Sequence, residues 1–271
     1  MKILFISLGC DKNLVDTEKM LGILVQRGFS ITDDEQEADA VVVNTCCFIN
    51  DAKQESINTL LEMAQLRENG SIKALIAAGC LAQRYQEEIQ REIPEVDAIL
   101  GTTAIDVIAD TLDEVFCGKG QNHLEDINRS LTNADFSSKR IVTTGGHYAY
   151  LKIAEGCDKH CSYCIIPKVR GHYRSVPMEE LVQEAKQLVA SGVKELILVA
   201  QETTLYGVDL YGEKRLPELL RRLCAITGIY WIRILYCYPE EITDELIETI
   251  KSEPKICNYL DIPIQHASNT I

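Results

Sequence analysis

The sequence lacks the marks of most familiar classes. No apolar run approaches the length of a membrane-spanning helix. The start, Met1-Lys-Ile-Leu-Phe-Ile-Ser-Leu-Gly-Cys10, mimics a lipoprotein signal, yet its apolar stretch 3–8 is too short for a signal core and Asp11 and Lys12 follow at once. Eleven cysteines are an odd number, and without a secretory signal they argue for reduced thiols and metal thiolates rather than a disulfide framework. The expected location is therefore the cytoplasm, with no membrane partner. Phosphate loops of the GxxxxGK[ST] type, GxGxxG, HExxH and GxSxG are all missing, so the corresponding nucleotide, zinc-protease and serine-hydrolase chemistries are set aside. Positive charge is scarce too: residues 1–142 carry 24 acidic against 13 basic side chains, and residues 143–271 carry 17 against 14. This argues against a nucleic-acid surface on the first half.

What is present is a chain long enough for two domains, 46% apolar and 25% charged, as expected of a globular protein. The first half alternates. Strands are expected at 3–8, near 29–32, and at 40–44, 73–78 and 96–100. Helices are expected at 11–27, 50–69, 81–92 and 105–116. Continuous apolar strands between helices imply an α/β, doubly wound parallel sheet over residues 1–117. Residues 118–146 lack a sustained period and read as a linker, with an edge strand near 140–144.

Cys10, Cys46 and Cys80 each fall between a strand's carboxyl end and the next helix, the edge at which open parallel sheets bind ligands. Singly, each is an ordinary small buried residue; one per turn on three turns suggests a common site. Cys47, Cys117, Cys224, Cys237 and Cys257 are assigned to packing or surface, with the choice between Cys46 and its neighbour Cys47 left open.

In the second half, strands at 150–155, 195–200, 230–236 and 259–263 alternate with helices at 177–190, 216–227 and 240–252, which implies a βα barrel over 147–271. The strand ends carry Gln201-Glu202-Thr203-Thr204, Tyr236-Cys237-Tyr238-Pro239 and Gln265-His266-Ala267-Ser268. After the first strand comes Cys157-Asp158-Lys159-His160-Cys161-Ser162-Tyr163-Cys164. Three thiolates at this spacing suit three corners of an iron–sulfur cube with one iron left open. A Cys₃His zinc site that includes His160 is the competing reading. Glu202 reads as a ligand for an amino group or as a surface carboxylate, and His266 as a hydrogen-bonding partner or a site residue. The basic stretch 168–174 reads as an anion contact or a solvated loop.

The Cys-x₃-Cys-x₂-Cys loop after the first barrel strand resembles the radical S-adenosylmethionine (SAM) superfamily. That resemblance implies a [4Fe–4S] cluster on Cys157, Cys161 and Cys164, SAM chelated by its open iron, and Tyr163 near the adenine. It further implies Gln201, Glu202, Gln265 and His266 as SAM-binding positions. The preceding domain with Cys10, Cys46 and Cys80 is similar to the methylthiotransferase family, which implies a second [4Fe–4S] cluster there. Ser7-Leu-Gly-Cys-Asp-Lys-Asn-Leu-Val-Asp16, Ala200-Gln-Glu-Thr-Thr-Leu-Tyr-Gly207, Asp209-Leu-Tyr-Gly212 and Ile262-Pro-Ile-Gln-His-Ala-Ser268 resemble the RimO branch. The implied substrate is an aspartate of small-subunit ribosomal protein number twelve, methylthiolated at its β carbon after hydrogen abstraction by a 5′-deoxyadenosyl radical.

The implied electron donor is a flavodoxin or ferredoxin. The tRNA adenosine branch is the alternative; it usually has Cys-Gln-Met-Asn after the first strand. A one-electron iron–sulfur carrier and a zinc-stabilised interaction module complete the competing classes. The family usually has Gly at the position of Cys47. It also continues past the fourth barrel strand into a six-strand partial barrel and a C-terminal TRAM domain, so the chain resembles a fragment with an incomplete barrel.

Overall fold

A computed structural model describes residues 1–129, 140–264 and 267–270. The chain forms two compact units. Met1–Ile141 with Asp158–His172 makes the first, and Val142–Cys157 with Tyr173–Ile271 makes the second.

The first unit runs β1 (Lys2–Ser7), α1 (Asp11–Gln26), β2 (Ser30–Thr32), β3 (Ala40–Thr45), α2 (Asn50–Glu68), β4 (Ala74–Ala78), α3 (Gly79–Arg84), α4 (Gln86–Glu92), β5 (Ala98–Leu100) and α5 (Ile108–Phe116). A short α6 (Ile166–Arg170) joins it from the later segment. The five strands are parallel in the order β2-β1-β3-β4-β5. Successive residues of a strand face opposite sides, and here both sides are covered. Val41, Val43, Leu75 and Ala77 pack with Leu60 and Met63 of α2. Ala40, Val42, Ala74 and Ile76 pack with Met20 and Leu24 of α1 and with Ile108 and Leu112 of α5. Burial of each large aliphatic chain contributes roughly 1.5–3 kcal/mol, which is why the central strands are apolar without alternation. The doubly wound sheet expected from the sequence is therefore present, and its order reverses between β1 and β3.

Local departures have local causes. The helix expected at 81–92 is two helices, because Tyr85 (φ −122°, ψ 35°) leaves helical geometry. Its hydroxyl receives Lys53 Nζ at 3.2 Å. Residues 140–143 form no strand. Arg140 is instead buried against Glu18 of α1, with Nε 2.6 Å from Oε2, and Ile141 N donates to Glu18 O. Part of the expected linker lies on the edge of β5, where His123 N donates to Ile99 O and Gly101 N to His123 O.

The second unit runs β6 (Tyr148–Lys152), β7 (Ala154–Glu155), β8 (Arg174–Ser175), α7 (Met178–Ala190), β9 (Glu195–Val199), α8 (Val208–Tyr211), α9 (Leu216–Cys224), β10 (Trp231–Ile234), α10 (Asp244–Ser252) and β11 (Ile256–Leu260). Its main sheet is parallel, and each strand neighbours its successor: β6-β9-β10-β11. Winding in one direction is the construction of a barrel wall. The first expected strand divides: β6 stops at Lys152, and Ala154 and Glu155 turn to pair antiparallel with Ser175 and Arg174. This small ladder joins the residues before and after the cysteine loop. The fourth strand lies three residues earlier than expected, since Ile256 and Leu260 pair with Ile232 and Ile234, whereas Pro263 has no amide proton to give a ladder. Among the described residues no helix is long and apolar enough to cross a membrane.

The Glu18–Arg140 pair yields a stability prediction. Glu18 has no exposure and Arg140 is 8% exposed, so Arg140→Leu takes an ion-pair partner from a buried carboxylate, at a cost of up to about 3–5 kcal/mol. The double variant Glu18→Leu/Arg140→Leu is expected to regain most of that loss in urea denaturation; equal midpoints for the single and double variants would contradict it.

Candidate metal centre

β1, β3 and β4 stop at one level, because Ser7 pairs with Asn44 and Asn44 with Ala78. Cys10 follows as the N-terminal cap of α1, Cys46 lies just beyond β3, and Cys80 is in the first turn of α3. Level strand ends thus gather three turns at the carboxyl edge, next to the reversal between β1 and β3 where such sheets bind ligands.

A polar network fixes the turns to one another. Asn13, fully buried, donates its Nδ2 to Leu8 O at 3.0 Å and to Thr45 O at 2.9 Å, the carbonyls leading into the turns of Cys10 and Cys46. Asn44 Nδ2 donates to Asn13 O and to Thr17 Oγ1. Thr45 Oγ1 donates to Ala78 O at 2.6 Å, and Ser56 Oγ accepts from Cys46 N at 2.9 Å. Two glycines make the close approach possible. Gly9 (φ +90°) presents no side chain where a Cβ would stand 2.6 Å from Cys46 Cβ and 2.8 Å from its Sγ. Gly79 (φ +88°) likewise passes the backbone of Thr45, where a Cβ would stand 2.6 Å from the carbonyl oxygen.

Cys10 is exposed, whereas Cys46 and Cys80 are buried. Burial raises the Cys46 thiol and pushes Cys80 up to about 12, against the opposing pull of Arg170. A thiol so held gives up its proton to a metal rather than to water at neutral pH. Cys47 is buried as well, and its Sγ donates to Cys80 O at 3.3 Å.

Arg170 is the site residue that sequence reasoning missed. It lies in the basic stretch read as an anion contact or a solvated loop, yet it is 2% exposed. Its Nη1 donates to Asp16 Oδ2 at 2.7 Å, its Nη2 to Asn13 Oδ1, and its Nε to Cys80 Sγ at 3.4 Å. No spacing rule connects residues 154 apart in the chain, so no sequence signal was available.

Cys157 follows Gly156 (φ +81°) at the end of the Val142–Cys157 segment, and Cys161 and Cys164 belong to Asp158–His172. All three are half-buried. Cys164 N donates to Cys161 O at 2.9 Å, and His160 adopts a left-handed φ of 49°. His172 Nδ1 meets Asp158 Oδ1 at 2.8 Å across the ends of the segment, and Tyr163 is exposed. No three His, Cys, Asp or Glu side chains among the described residues are grouped as a single metal ion requires, in either cysteine set. Both cysteine sets supply the donor chemistry of an iron–sulfur cube, three thiols each.

In the second unit Gln201 Nε2 donates to Glu155 Oε1 at 2.8 Å, and Lys152 Nζ holds Glu155 Oε2 at 2.7 Å. Gln201 Oε1 is buried with no hydrogen-bond partner among the described residues. Glu202 is 2% exposed, which removes its reading as a surface carboxylate. Its Oε1 accepts from Thr204 N, Thr204 Oγ1 and Tyr238 N. Gln265 and His266 lie outside the described residues.

Comparison with known proteins agrees with both halves of this description. The profile described as "Uncharacterized protein family UPF0004" matches residues 2–101, and that of the radical SAM superfamily matches residues 151–271. The chain is 67% identical over its whole length to the ribosomal protein uS12 methylthiotransferase RimO of Lachnoclostridium phytofermentans, covering 61% of that protein. It is 53% identical to the protein of the same name from Clostridioides difficile, covering 60% of it. The chain thus spans about three fifths of the length of the curated relatives it matches. Among solved structures, the radical SAM methyltransferase TsrM from Kitasatospora setae superposes on 99% of the chain and 60% of its own, with a TM-score of 0.65 at 13% identity. The cobalamin-dependent radical enzyme OxsB gives 0.60 at 11%, over 99% of this chain and 44% of its own. At such identities these structures speak for the fold alone.

Iron content tests the site. After anaerobic reconstitution, Cys10→Ser/Cys46→Ser/Cys80→Ser is expected to reduce the load from about eight irons per chain to about four. Gly9→Ala is expected to do the same while circular dichroism stays unchanged. Undiminished iron in the triple variant would remove these cysteines from the site.

Proposed function

We propose that this chain belongs to the radical SAM methylthiotransferase family, in its RimO branch, and that it carries the catalytic part of an enzyme that methylthiolates the β carbon of an aspartate in ribosomal protein uS12. The observation that carries the reading is the presence of two three-cysteine sets. One lies on level βα turns of a doubly wound sheet, and the other on the loop after the first strand of a barrel wall.

Cys157, Cys161 and Cys164 would hold one [4Fe–4S] cluster, and Cys10, Cys46 and Cys80 a second. When bound, the clusters and SAM supply what side chains lack, radical chemistry able to take hydrogen from an unactivated carbon and sulfur to put in its place. The chain's own residues bind and orient. Gly9 keeps the space beside Cys46 open, Asn13 and Asn44 hold the turns at fixed separation, and Arg170 sets a positive charge beside Cys80. Tyr163, Gln201, Glu202, Gln265 and His266 are assigned to SAM. Support for Gln201 comes from its buried, unsatisfied Oε1, a polar atom that a ligand would satisfy. Glu155 and Lys152 orient the amide of Gln201.

The reaction draws electrons from outside, from a flavodoxin or ferredoxin. A net charge of −14 suits a basic ribosomal protein in the cytoplasm better than tRNA.

Mass spectrometry of ribosomal proteins and of tRNA nucleosides from a strain lacking the gene tests the substrate. The methylthio group is expected to vanish from uS12 while tRNA is unchanged, and the reverse pattern would transfer the assignment to the tRNA branch. Cys157→Ala/Cys161→Ala/Cys164→Ala is expected to abolish release of 5′-deoxyadenosine from SAM; residual release at the parent rate would exclude these ligands.

A further inference from the structure

A buried guanidinium is costly unless its charge and its donors are met. For Arg170 three donors are met by three different kinds of group: the carboxylate of Asp16, the amide oxygen of Asn13 and the sulfur of Cys80. Asp16 and Asn13 are themselves buried, at 3% and 0% exposure. Both lie on α1, the helix capped by Cys10, whereas Cys80 opens α3. One rigid planar group therefore spans the helices that begin at two of the three cysteines. It arrives on α6, six residues after Cys164, and the same helix is held again by Thr102 Oγ1, which donates to Val169 O at 2.7 Å.

We propose that Arg170 is a positioning residue that holds Cys80 in its ligand orientation and donates Nε–H to the Cys80 sulfur, thereby raising the reduction potential of the cluster on Cys10, Cys46 and Cys80. The inference rests on the reading that these three cysteines hold a cluster. A reduced cluster is more negative than an oxidised one, so a cationic N–H donor at a ligand sulfur stabilises the reduced form more. The sulfur receives the N–H of Arg170 directly at 3.4 Å, whereas the carboxylate of Asp16 meets a different nitrogen of the same group. Lysine would keep the charge but lose the planar fork that reaches three partners at once.

The test uses the full chain carrying Cys157→Ala/Cys161→Ala/Cys164→Ala, reconstituted and reduced, so that only the cluster in question is present. With arginine labelled by nitrogen-15 in its guanidino group, pulsed electron paramagnetic resonance is expected to show a nitrogen-15 coupling that disappears in Arg170→Lys. Redox titration is expected to give a more negative midpoint for Asp16→Asn/Arg170→Gln, a pair that leaves no buried acid alone, with Arg170→Lys recovering part of the shift. About four irons per chain with no coupling and an unmoved midpoint would overturn the role of Arg170 alone. No iron in the background protein would overturn the cluster assignment, and the inference with it. If the substitutions at 170 cost the iron, the coupling in the protein that retains Arg170 decides.

Discussion

The first unit depends on β1, β3 and β4 ending level. Parallel strands rise about 3.3 Å per residue and alternate their faces, so a slip of one residue between β1 and β3 would carry Cys46 that far from Gly9 and turn Asn44 away from α1. Apolar burial does not by itself forbid the slip, since Val41, Val42 and Val43 are interchangeable in shape and chemistry. Asn44 does forbid it. Its amide reaches Asn13 O and Thr17 Oγ1 only in the observed register, and a buried amide without partners costs roughly 1–3 kcal/mol. The valines supply the free energy of the sheet; the asparagine fixes where it stops.

The same division of labour recurs at the turns. Asn13, Asn44, Thr45 and Ser56 are buried polar residues beside the cysteines, each engaged in hydrogen bonds. Such groups add little net stability compared with a well-packed apolar set, but they tolerate one arrangement only. Three thiols carried on three separate turns keep a fixed mutual placement only if each turn is held in this way. In the second unit Lys152, Glu155 and Gln201 form a comparable chain, and the amide of Gln201 takes its orientation from Glu155.

Much of this was legible in the residues alone. Long apolar runs between helices identified both sheets, and each of the cysteines singled out was placed after a strand, where the structure has it. What escaped was whatever depends on tertiary pairing. Residues 158–172 pack with the first unit although they follow the first strand of the second, and nothing in their composition says so. A basic loop with Gly171 at its end looks solvated until Asp16 is found opposite Arg170. The division of 150–155 into β6 and β7 needed Arg174 and Ser175 as partners, and two-residue ladders carry no periodicity. The offset of β11 arose because Tyr259–Pro263 looked as strand-like as Ile256–Leu260, and only pairing with β10 separates them.

Cys46 and Cys47 differ in their surroundings. Both are buried, and either might have faced the site. Cys46 is the one whose Sγ adjoins Gly9. Cys47 packs with the core that includes Leu75, Leu81 and Ile99, and its S–H donates to the carbonyl of Cys80. Cys47 thus braces the backbone of Cys80 from the core side, while Arg170 contacts the sulfur of that same residue. Cys80 is held from both directions.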